Sequence, residues 1–367
     1  MPSTPQDSVR PAGECETTDP HLKEVRSLLS RIPISLPGGD VLSSGMARNI
    51  RVVDDHIYLR LFAGSDQGAL SEVVQHRLNH LAWSRRVYVD VRSVPGVKRT
   101  IAIGSGKGGV GKTSVAVSLA ATFAQQGLRV GLLDADVYGP NIPILLGMDD
   151  GEVTTLEEEG EPRFVAPIHH GIRVMSVGML AERDQSLAWR GPILTRLLQQ
   201  FLYQVDWGTL DVLLIDLPPG TGDAQITILQ ESPVAGVLLV STPGASAWAD
   251  LIRTVTMYRT FGMPLLGLVE NMARFRCPCC EAELELLADS LPLEHSAAAE
   301  AGLQRLASLP VRLEPSGRNH PYEASLRTTM LHEQHPQEFA SLANQLRTNL
   351  HLTPAPHSVT PEGWPTS

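Results

Sequence analysis

A glycine-rich run constrains this chain more than any other feature. Residues Ile101 to Thr113 read Ile-Ala-Ile-Gly-Ser-Gly-Lys-Gly-Gly-Val-Gly-Lys-Thr, and Gly106 to Thr113 match the pattern G-x-x-x-x-G-K-[ST]. An apolar strand pattern at 100–103 precedes the glycines, and an apolar helix pattern follows them. Glycines let the backbone N–H groups surround a phosphate, and the N-terminus of the next helix adds a positive dipole end. The run therefore predicts a nucleotide phosphate site.

The residues of this loop have distinct expected roles. We expect Lys112 to contact the β- and γ-phosphates and the Thr113 hydroxyl to bind Mg²⁺. A chance glycine-rich turn would match neither the full pattern nor its place between a strand and a helix. The other residues expected to bind the nucleotide are Gly106, Lys107, Gly108, Gly109, Val110 and Gly111.

Length and composition narrow the class of protein. The 367 residues suffice for one large domain and a small one, and 43% of them are hydrophobic but only 5% aromatic, so the core is aliphatic. A net charge of −10 disfavours a general nucleic-acid surface. No apolar stretch is long enough to span a bilayer, and the N-terminus lacks an apolar run. We expect a soluble cytoplasmic protein with neither nucleic acid nor membrane as a partner.

The apolar pattern after residue 98 predicts an α/β fold with a mostly parallel sheet covered by helices on both faces. This predicted ATPase domain extends over residues 98–350. An acidic stretch at 151–162 is expected to be a surface loop. Strands are predicted at 100–103, 129–134, 171–177, 211–215, 236–241 and 265–269, and helices at 113–126, 193–205, 245–261 and 336–350.

A small, separate α/β unit is predicted before the glycine-rich loop, over residues 21–95. Asp54-Asp55 is a hairpin turn signal between two strand patterns, and Pro95-Gly96 marks the linker. The polar, proline-containing ends, 1–20 and 353–367, are expected to be disordered. The elements predicted in the unit are helices at 21–30 and 67–83 and strands at 50–53, 56–62 and 87–91.

Two acidic motifs follow predicted strands of the large domain. Asp134-Ala-Asp136 follows the second strand, and Asp216-Leu-Pro-Pro-Gly220 follows a later one. Ligands of open α/β sheets lie at the carboxyl ends of the strands. Carboxylates there can bind Mg²⁺ through its waters and orient an attacking water, and the Pro-Pro-Gly turn could respond to the γ-phosphate as switch segments do. With the loop, these motifs predict a Mg-ATPase.

Several runs resemble one known family. Lys107, a second lysine in the loop, is similar to the signature lysine of the deviant Walker A ATPases. Over residues 98–280 the chain resembles the Mrp/ApbC (Nbp-type) iron–sulfur cluster carriers of that group. The runs that carry this resemblance are Asp-Ala-Asp-Val-Tyr-Gly-Pro-Asn-Ile-Pro from Asp134, Trp-Arg-Gly-Pro from Trp189, Asp-Leu-Pro-Pro-Gly-Thr-Gly-Asp-Ala from Asp216, Glu-Asn-Met from Glu270 and Cys-Pro-Cys-Cys from Cys277.

The resemblance implies a P-loop NTPase fold and roles for particular residues. Lys107 would reach the nucleotide of the opposing subunit in a face-to-face homodimer. Asp134 or Asp136 would be the catalytic carboxylate, Asp216 would support Mg²⁺, and Asn271 would contact adenine. The unit at 21–95 resembles the small iron–sulfur assembly domain that precedes many bacterial Mrp-type ATPases. A cysteine often found in that domain is missing at 63–68, so a docking or scaffold role is expected for it.

The cysteines suggest a metal or redox site. Cys277 and Cys280 form C-x-x-C, the ligand pair of the family. A [4Fe–4S] cluster takes four thiolates, which a two-fold dimer would supply as two identical pairs. A Cys₄ zinc site uses the same spacing, and an inert pair of thiols is a third interpretation. Cys279 departs from the family pattern, as a bystander or a competing ligand, and Cys15 is expected to be an incidental exposed thiol.

Together these features predict an ATP-dependent iron–sulfur cluster carrier. ATP hydrolysis would be slow and act as a switch, and the partners would be a cluster-assembly scaffold and apo-proteins. One alternative is a positioning or partitioning ATPase, but the tail at 353–367 is neither basic nor amphipathic. Another is an electron-transferring ATPase like the nitrogenase iron protein, whose ligand cysteines lie in two separate loops.

Overall fold

The structure is a computed structural model that describes residues 19–34, 36, 39–137, 139–148, 153–158, 161–179, 191–277, 280, 282–284, 302–311 and 330–354. The ends expected to be disordered lie almost wholly outside these ranges, as do Trp189 and Cys279. Within the described residues, no helix is long and apolar enough to cross a membrane.

The N-terminal unit is a three-stranded sheet with two helices packed on its inner face. Its middle strand pairs antiparallel with the first strand and parallel with the third. Asp54 and Asp55 have φ angles of 50° and 62°, so the predicted hairpin turn is confirmed. The elements, in chain order, are α1 (Pro20–Leu29), β1 (Ala47–Val53), β2 (His56–Phe62), α2 (Leu70–Asn79) and β3 (Arg86–Arg92).

Two bounds in this unit differ from the sequence expectation. The segment expected to be disordered ended at residue 20, but Pro20 is the first residue of α1, and the Asp19 carboxylate accepts a hydrogen bond from the His21 N–H. This prediction was wrong at its last two residues because an Asp before a Pro is a helix-start signal. Helix α2 is shorter than predicted, since Gly68 and the turn after Asn79 limit it.

The remaining described elements form the large domain. They are β4 (Val97–Gly104), α3 (Lys112–Gln125), β5 (Val130–Asp134), α4 (Ile142–Leu146), β6 (Thr154–Glu158), β7 (Glu161–Val165), β8 (Ile168–His169), β9 (Ile172–Ser176), α5 (Gly191–Tyr203), β10 (Val205–Asp206), β11 (Leu210–Asp216), α6 (Asp223–Glu231), β12 (Val234–Ser241), α7 (Ala245–Thr260), β13 (Leu265–Arg276), β14 (Glu283–Leu284), β15 (Arg305–Val311), α8 (Leu331–Gln334) and α9 (Pro336–Leu350).

The main sheet has the strand order β14-β13-β12-β4-β11-β5-β9-β8, and β15 also pairs with β13. Its strand pairs are parallel except for the short edge strands β8 and β14, which pair antiparallel with β9 and β13. In β11, Val212 and Leu214 pack into one core, while Leu213 and Ile215 pack into the other. Helices α3 and α9 cover the first face, and α5, α6 and α7 cover the second. The predicted α/β fold is therefore confirmed.

The acidic stretch at 151–162 is not simply a surface loop, so that prediction was wrong. Within it and just beyond, β6 and β7 form an antiparallel hairpin, and β7 pairs in parallel with β10 in a separate three-stranded sheet. Thr154, Thr155, Phe164 and Val165 favour extended backbone. Acidic residues suit the outer strand of such a sheet, because charges on an edge strand discourage further pairing. Phe164 contacts Phe201 of α5 edge to face, 6.4 Å between ring centroids.

Strand β13 extends seven residues beyond its predicted end. Its register with β15 shifts between Asn271 and Phe275, and Met272 has a φ of 53°. The strand bends there and continues to Arg276, where it pairs with β14. This continuation places the end of β13 next to Cys277.

The two units are joined by a tight turn. Only residues 93–96 separate β3 from β4, Gly96 has a φ of 74°, and its carbonyl accepts a hydrogen bond from the Leu210 N–H at 2.9 Å. A Cβ at Gly96 would lie 2.0 Å from the Gly208 carbonyl oxygen, so this position requires glycine. The predicted linker at Pro95-Gly96 is thus part of the folded structure.

Candidate nucleotide site and cysteine hairpin

The glycine-rich loop connects the central strand β4 to helix α3. Gly109 and Gly111 have φ angles of 78° and 84°, the left-handed conformation that glycine adopts without strain. A Cβ at Gly106 would lie 2.5 Å from the backbone of Asp250 in α7, so the loop fits closely against that helix. Helix α3 begins at Lys112. The first N–H groups of a helix have no intrahelical partner and point out of its N-terminus, which here adjoins the loop. This geometry matches the one that the sequence predicts for a phosphate site.

Lys112 and Thr113 both contact Asp216, at the end of the neighbouring strand β11. The Lys112 Nζ lies 2.8 Å from Asp216 Oδ1 and 3.6 Å from Asp136 Oδ2, and the Thr113 hydroxyl donates to Asp216 Oδ2 at 2.7 Å. Burial raises the pKa of Asp216, and the Lys112 ammonium opposes this rise. The two groups predicted to bind phosphate and Mg²⁺ are therefore held by one buried carboxylate.

Asp134 is buried, and its carboxylate binds the backbone of the segment that follows it. Its carboxylate accepts hydrogen bonds from the N–H groups of Asp136 and Ile142, both at 3.2 Å, and from the Ser176 hydroxyl at 3.1 Å. Burial raises its pKa to about 7, the charge of Asp216 adds to the rise, and the three hydrogen bonds oppose it. Asp134 thereby fixes the backbone that carries Asp136.

Asp136 differs from Asp134 in its exposure. Its side chain is 13% exposed and faces Lys112. The Asp134 residue is 0% exposed. A carboxylate that orients a water must reach that water, so the geometry favours Asp136 over Asp134 for this role.

The Pro-Pro-Gly turn after Asp216 lies against the loop. The Leu217 N–H donates to the Ile103 carbonyl at 3.0 Å, and the Gly220 N–H donates to the Ser105 carbonyl at 2.9 Å. A Cβ at Gly108 would lie 3.9 Å from Pro219. Because of these contacts, a shift of the loop on nucleotide binding would also displace this turn.

Lys107 and Asn271 have different surroundings. Lys107 is exposed, and its Nζ donates to the Ser246 hydroxyl in the first turn of α7 at 3.1 Å. Asn271 is buried in β13, and its amide donates to the Val110 carbonyl of the loop at 2.9 Å. A Cβ at Gly111 would lie 2.2 Å from that amide nitrogen. The family resemblance implied an adenine contact for Asn271, and the structure shows its amide donating to the loop.

The C-x-x-C pair lies at the tip of a short hairpin. Phe275 and Arg276 of β13 pair with β14, and the Cys277 N–H donates to the Ala282 carbonyl at 3.0 Å. Cys277 is half-buried and Cys280 is exposed. Within the described residues, no group of three or more His, Cys, Asp or Glu side chains is placed to hold a metal ion. The described part of this hairpin therefore carries two cysteines, of which Cys280 is the more accessible.

The structure unites some predicted residues and separates others. Lys112, Thr113, Asp136 and Asp216 meet at the carboxyl edge of the sheet, and Cys277 and Cys280 lie beyond the end of β13. Ser176 was not predicted from the sequence. It is the register partner of Asp134 on β9, so its position at the end of a neighbouring strand was the available signal.

A glycine-rich loop between a parallel strand and a helix, facing carboxylates at the ends of two neighbouring strands, defines a P-loop NTPase. The profile of ParA, described as NUBPL iron-transfer P-loop NTPase, matches residues 96–347. The chain belongs to this family, which confirms the resemblance deduced from its motifs.

Individual relatives agree with this assignment. The iron–sulfur cluster carrier protein of Synechocystis is 48% identical over 190 residues, which cover 52% of this chain and 54% of that protein. The carrier protein of Helicobacter pylori is 36% identical over 296 residues, covering 76% and 79%. The chain spans about half the length of the first curated relatives it matches.

A solved structure shares the fold. The ADP complex of a nucleotide-binding protein from Archaeoglobus fulgidus is 33% identical to this chain, with a TM-score of 0.51. The match covers 68% of this chain and 89% of that protein.

Proposed function

We propose that this protein is an ATP-dependent iron–sulfur cluster carrier. Its loop binds Mg-ATP, and slow hydrolysis switches the protein between states. Cys277 and Cys280 of two chains hold one bridging cluster, which the dimer receives from an assembly scaffold and transfers to apo-proteins. Thiolates that hold a transferable cluster must stay reduced, so the proposal implies a reducing compartment such as the cytoplasm.

One observation carries the proposal: strand β13 contacts the loop and also ends at the cysteines. The Asn271 amide bonds to the Val110 carbonyl, and Cys277 lies six residues farther along the chain. At about 3.3 Å per residue, six residues of extended chain span at most roughly 20 Å, and the bend at Met272 shortens this distance. A change in the loop thus has a direct backbone route to the cluster ligands.

The residues around Asp216 fit a magnesium ion as cofactor. The Thr113 hydroxyl and the Asp216 carboxylate converge at 2.7 Å and are the hard oxygen donors that Mg²⁺ prefers. When bound there, the ion neutralises phosphate charge. Lys112 would then exchange Asp216 for the β- and γ-phosphates, because both attract the same ammonium.

Hydrolysis would use groups from both chains. Asp136, held by Asp134 through its backbone, would orient the attacking water. Lys107 is exposed at the loop surface, which fits a role at the nucleotide of the opposing subunit. A homodimer fits the stoichiometry of the cluster, because one chain has a single C-x-x-C pair and a cubane takes four thiolates.

The experiment that tests this proposal is anaerobic reconstitution with iron and sulfide. The wild type should bind about four irons per dimer and show the broad visible absorbance of a cluster. Cys277→Ala and Cys280→Ala should each lose the iron. The matched controls, Cys15→Ala and Cys279→Ala, should keep it. Zinc that fills the site as purified and resists displacement by iron would show a structural zinc site instead.

A further inference from the structure

Helix α6 joins the nucleotide site to the N-terminal unit. It begins at Asp223, three residues after the end of the Pro-Pro-Gly turn at Gly220, and ends at Glu231. With nine residues it is about 13 Å long. Both halves of this short helix are held by buried side chains from other elements.

The first half is fixed to the root of the loop. The Gln225 amide donates to the Tyr258 hydroxyl of α7 at 2.6 Å, and both residues are at most 1% exposed. A Cβ at Gly104, where β4 ends and the loop begins, would lie 2.3 Å from that hydroxyl. The start of α6, helix α7 and the loop root therefore form one packed contact.

The other end is held by Arg48 of strand β1. Its Nη1 donates to the Leu229 carbonyl at 2.7 Å and to the Ser232 carbonyl at 3.3 Å, and its Nη2 donates to the Val234 carbonyl at 3.1 Å. The Arg48 guanidinium also lies 4.2 Å from the ring centroid of Phe62. The side chain is thus fixed at several points across the junction between the two units.

This contact is unusual because a buried cation binds carbonyl oxygens. Arg48 is 8% exposed, and burial lowers its pKa to about 9. The last carbonyls of a helix are left without intrahelical donors and form the negative end of its dipole. Arg48 satisfies carbonyls at and just beyond this end, so the N-terminal unit caps a helix of the NTPase domain.

We propose that Arg48 is a positioning residue for nucleotide hydrolysis, acting through α6 on the Pro-Pro-Gly turn and Asp216. A short helix fixed at both ends transmits displacement, so loss of the cap would let α6 tilt and would misplace the turn against the loop. The inference rests on the proposed function, since it requires hydrolysis at the loop. It gives the N-terminal unit a part in the reaction.

The test compares two arginines of the same strand. Arg48→Met keeps much of the apolar stem but cannot donate to the carbonyls. It should lower kcat for ATP hydrolysis by about ten- to a hundredfold, as small displacements of reacting groups do, with KM for ATP within about threefold of wild type. Arg48→Lys should restore part of kcat. Arg51→Met is the matched control, because Arg51 is exposed on β1, and it should leave both constants unchanged.

A second variant keeps the test decisive if Arg48→Met does not fold. Glu231, the last residue of α6, forms an ion pair with Arg60 of β2 at 3.0 Å across the same junction. Glu231→Gln weakens this link without burying a charge and should lower kcat in the same direction, by a smaller factor. A folded Arg48→Met with wild-type kcat would overturn the inference. If Arg48→Met does not fold, Glu231→Gln with wild-type kcat would overturn it. A wild type that binds no nucleotide in calorimetry would instead overturn the proposed function.

Discussion

Asp134 and Asp136 are separated by one residue, yet their carboxylates have different surroundings. Asp134 accepts three hydrogen bonds in the core, whereas Asp136 faces the Lys112 ammonium. The sequence shows two equivalent acids after a strand and cannot rank them, because the ranking depends on how the following turn folds back. Burial of Asp134 also leads to a measurable pH dependence.

Asp134→Asn should remove part of the pH dependence of stability. With its pKa raised to about 7, the folded state keeps a proton that the unfolded state has already lost. The contribution of Asp134 to the free energy of unfolding is thus most favourable below about pH 4. It decreases as the pH rises to about 7, by at most about 1.4 kcal/mol per pH unit. Urea unfolding of nucleotide-free protein at pH 5.5 and 7.5 measures this.

Asp211, in the same sheet, is the control for that measurement. Burial alone would raise the pKa of Asp211, but hydrogen bonds from Arg129 and Lys98 lower it to about 2, so it adds little slope above pH 5. An Asp134→Asn variant whose stability depends on pH as steeply as that of the wild type would contradict the account.

Among the elements, the sequence predicted those with clear start and stop signals. The bounds of β2 are as predicted because apolar residues alternate after an Asp-Asp turn, and α9 begins at Pro336 as predicted. The hairpin of β6 and β7 was missed because its acidic composition is also that of a loop. The bend of β13 at Met272 could not be foreseen, since it depends on the pairing with β14 and β15.

The contact between β13 and the loop gives a prediction for Asn271. Asn271→Ala removes the donor to the Val110 carbonyl and leaves space beneath Gly111. If Asn271 acts through the loop, affinities for Mg-ATP and Mg-GTP should fall by a similar factor, about fivefold for one buried hydrogen bond. Isothermal titration measures both affinities. A loss confined to Mg-ATP would instead support the adenine contact that the sequence predicted.

At the scale of the whole molecule, the contacts between the N-terminal unit and the large domain could not be predicted from the sequence. Arg48 is one charged residue in an otherwise ordinary strand pattern, and its partners lie more than 180 residues away. The pairing of Lys112 with Asp216 was likewise not predictable, because the two residues are 104 positions apart in the sequence and the loop motif does not include Asp216. Such contacts depend on the assembled fold, which periodicity and motifs do not describe.

The dimer gives a prediction for Lys107. Lys107→Ala should retain ATP binding but lose hydrolysis, because the lysine would neutralise transition-state charge at the opposing site. Mixing it with Asp136→Asn should restore part of the activity, since one composite site in each mixed dimer would carry both intact residues. The measurement is ATP hydrolysis after mixing, with the formation of mixed dimers checked by mass spectrometry. Mixed dimers without restored activity would contradict a shared site.

The effect of Mg-ATP on the rate of cluster transfer tests the central claim most directly. Reconstituted protein is mixed anaerobically with apo-aconitase, with and without Mg-ATP, and the activity of the acceptor is followed while the visible absorbance of the donor is recorded. Lys112→Ala is the control, because it removes the ammonium expected to face the phosphates. The account predicts that the acceptor is activated as the donor loses its cluster, and that Mg-ATP changes the transfer rate by at least about fivefold in the wild type but not in the control. An acceptor that stays inactive, or a rate that Mg-ATP leaves unchanged in the wild type, would contradict it.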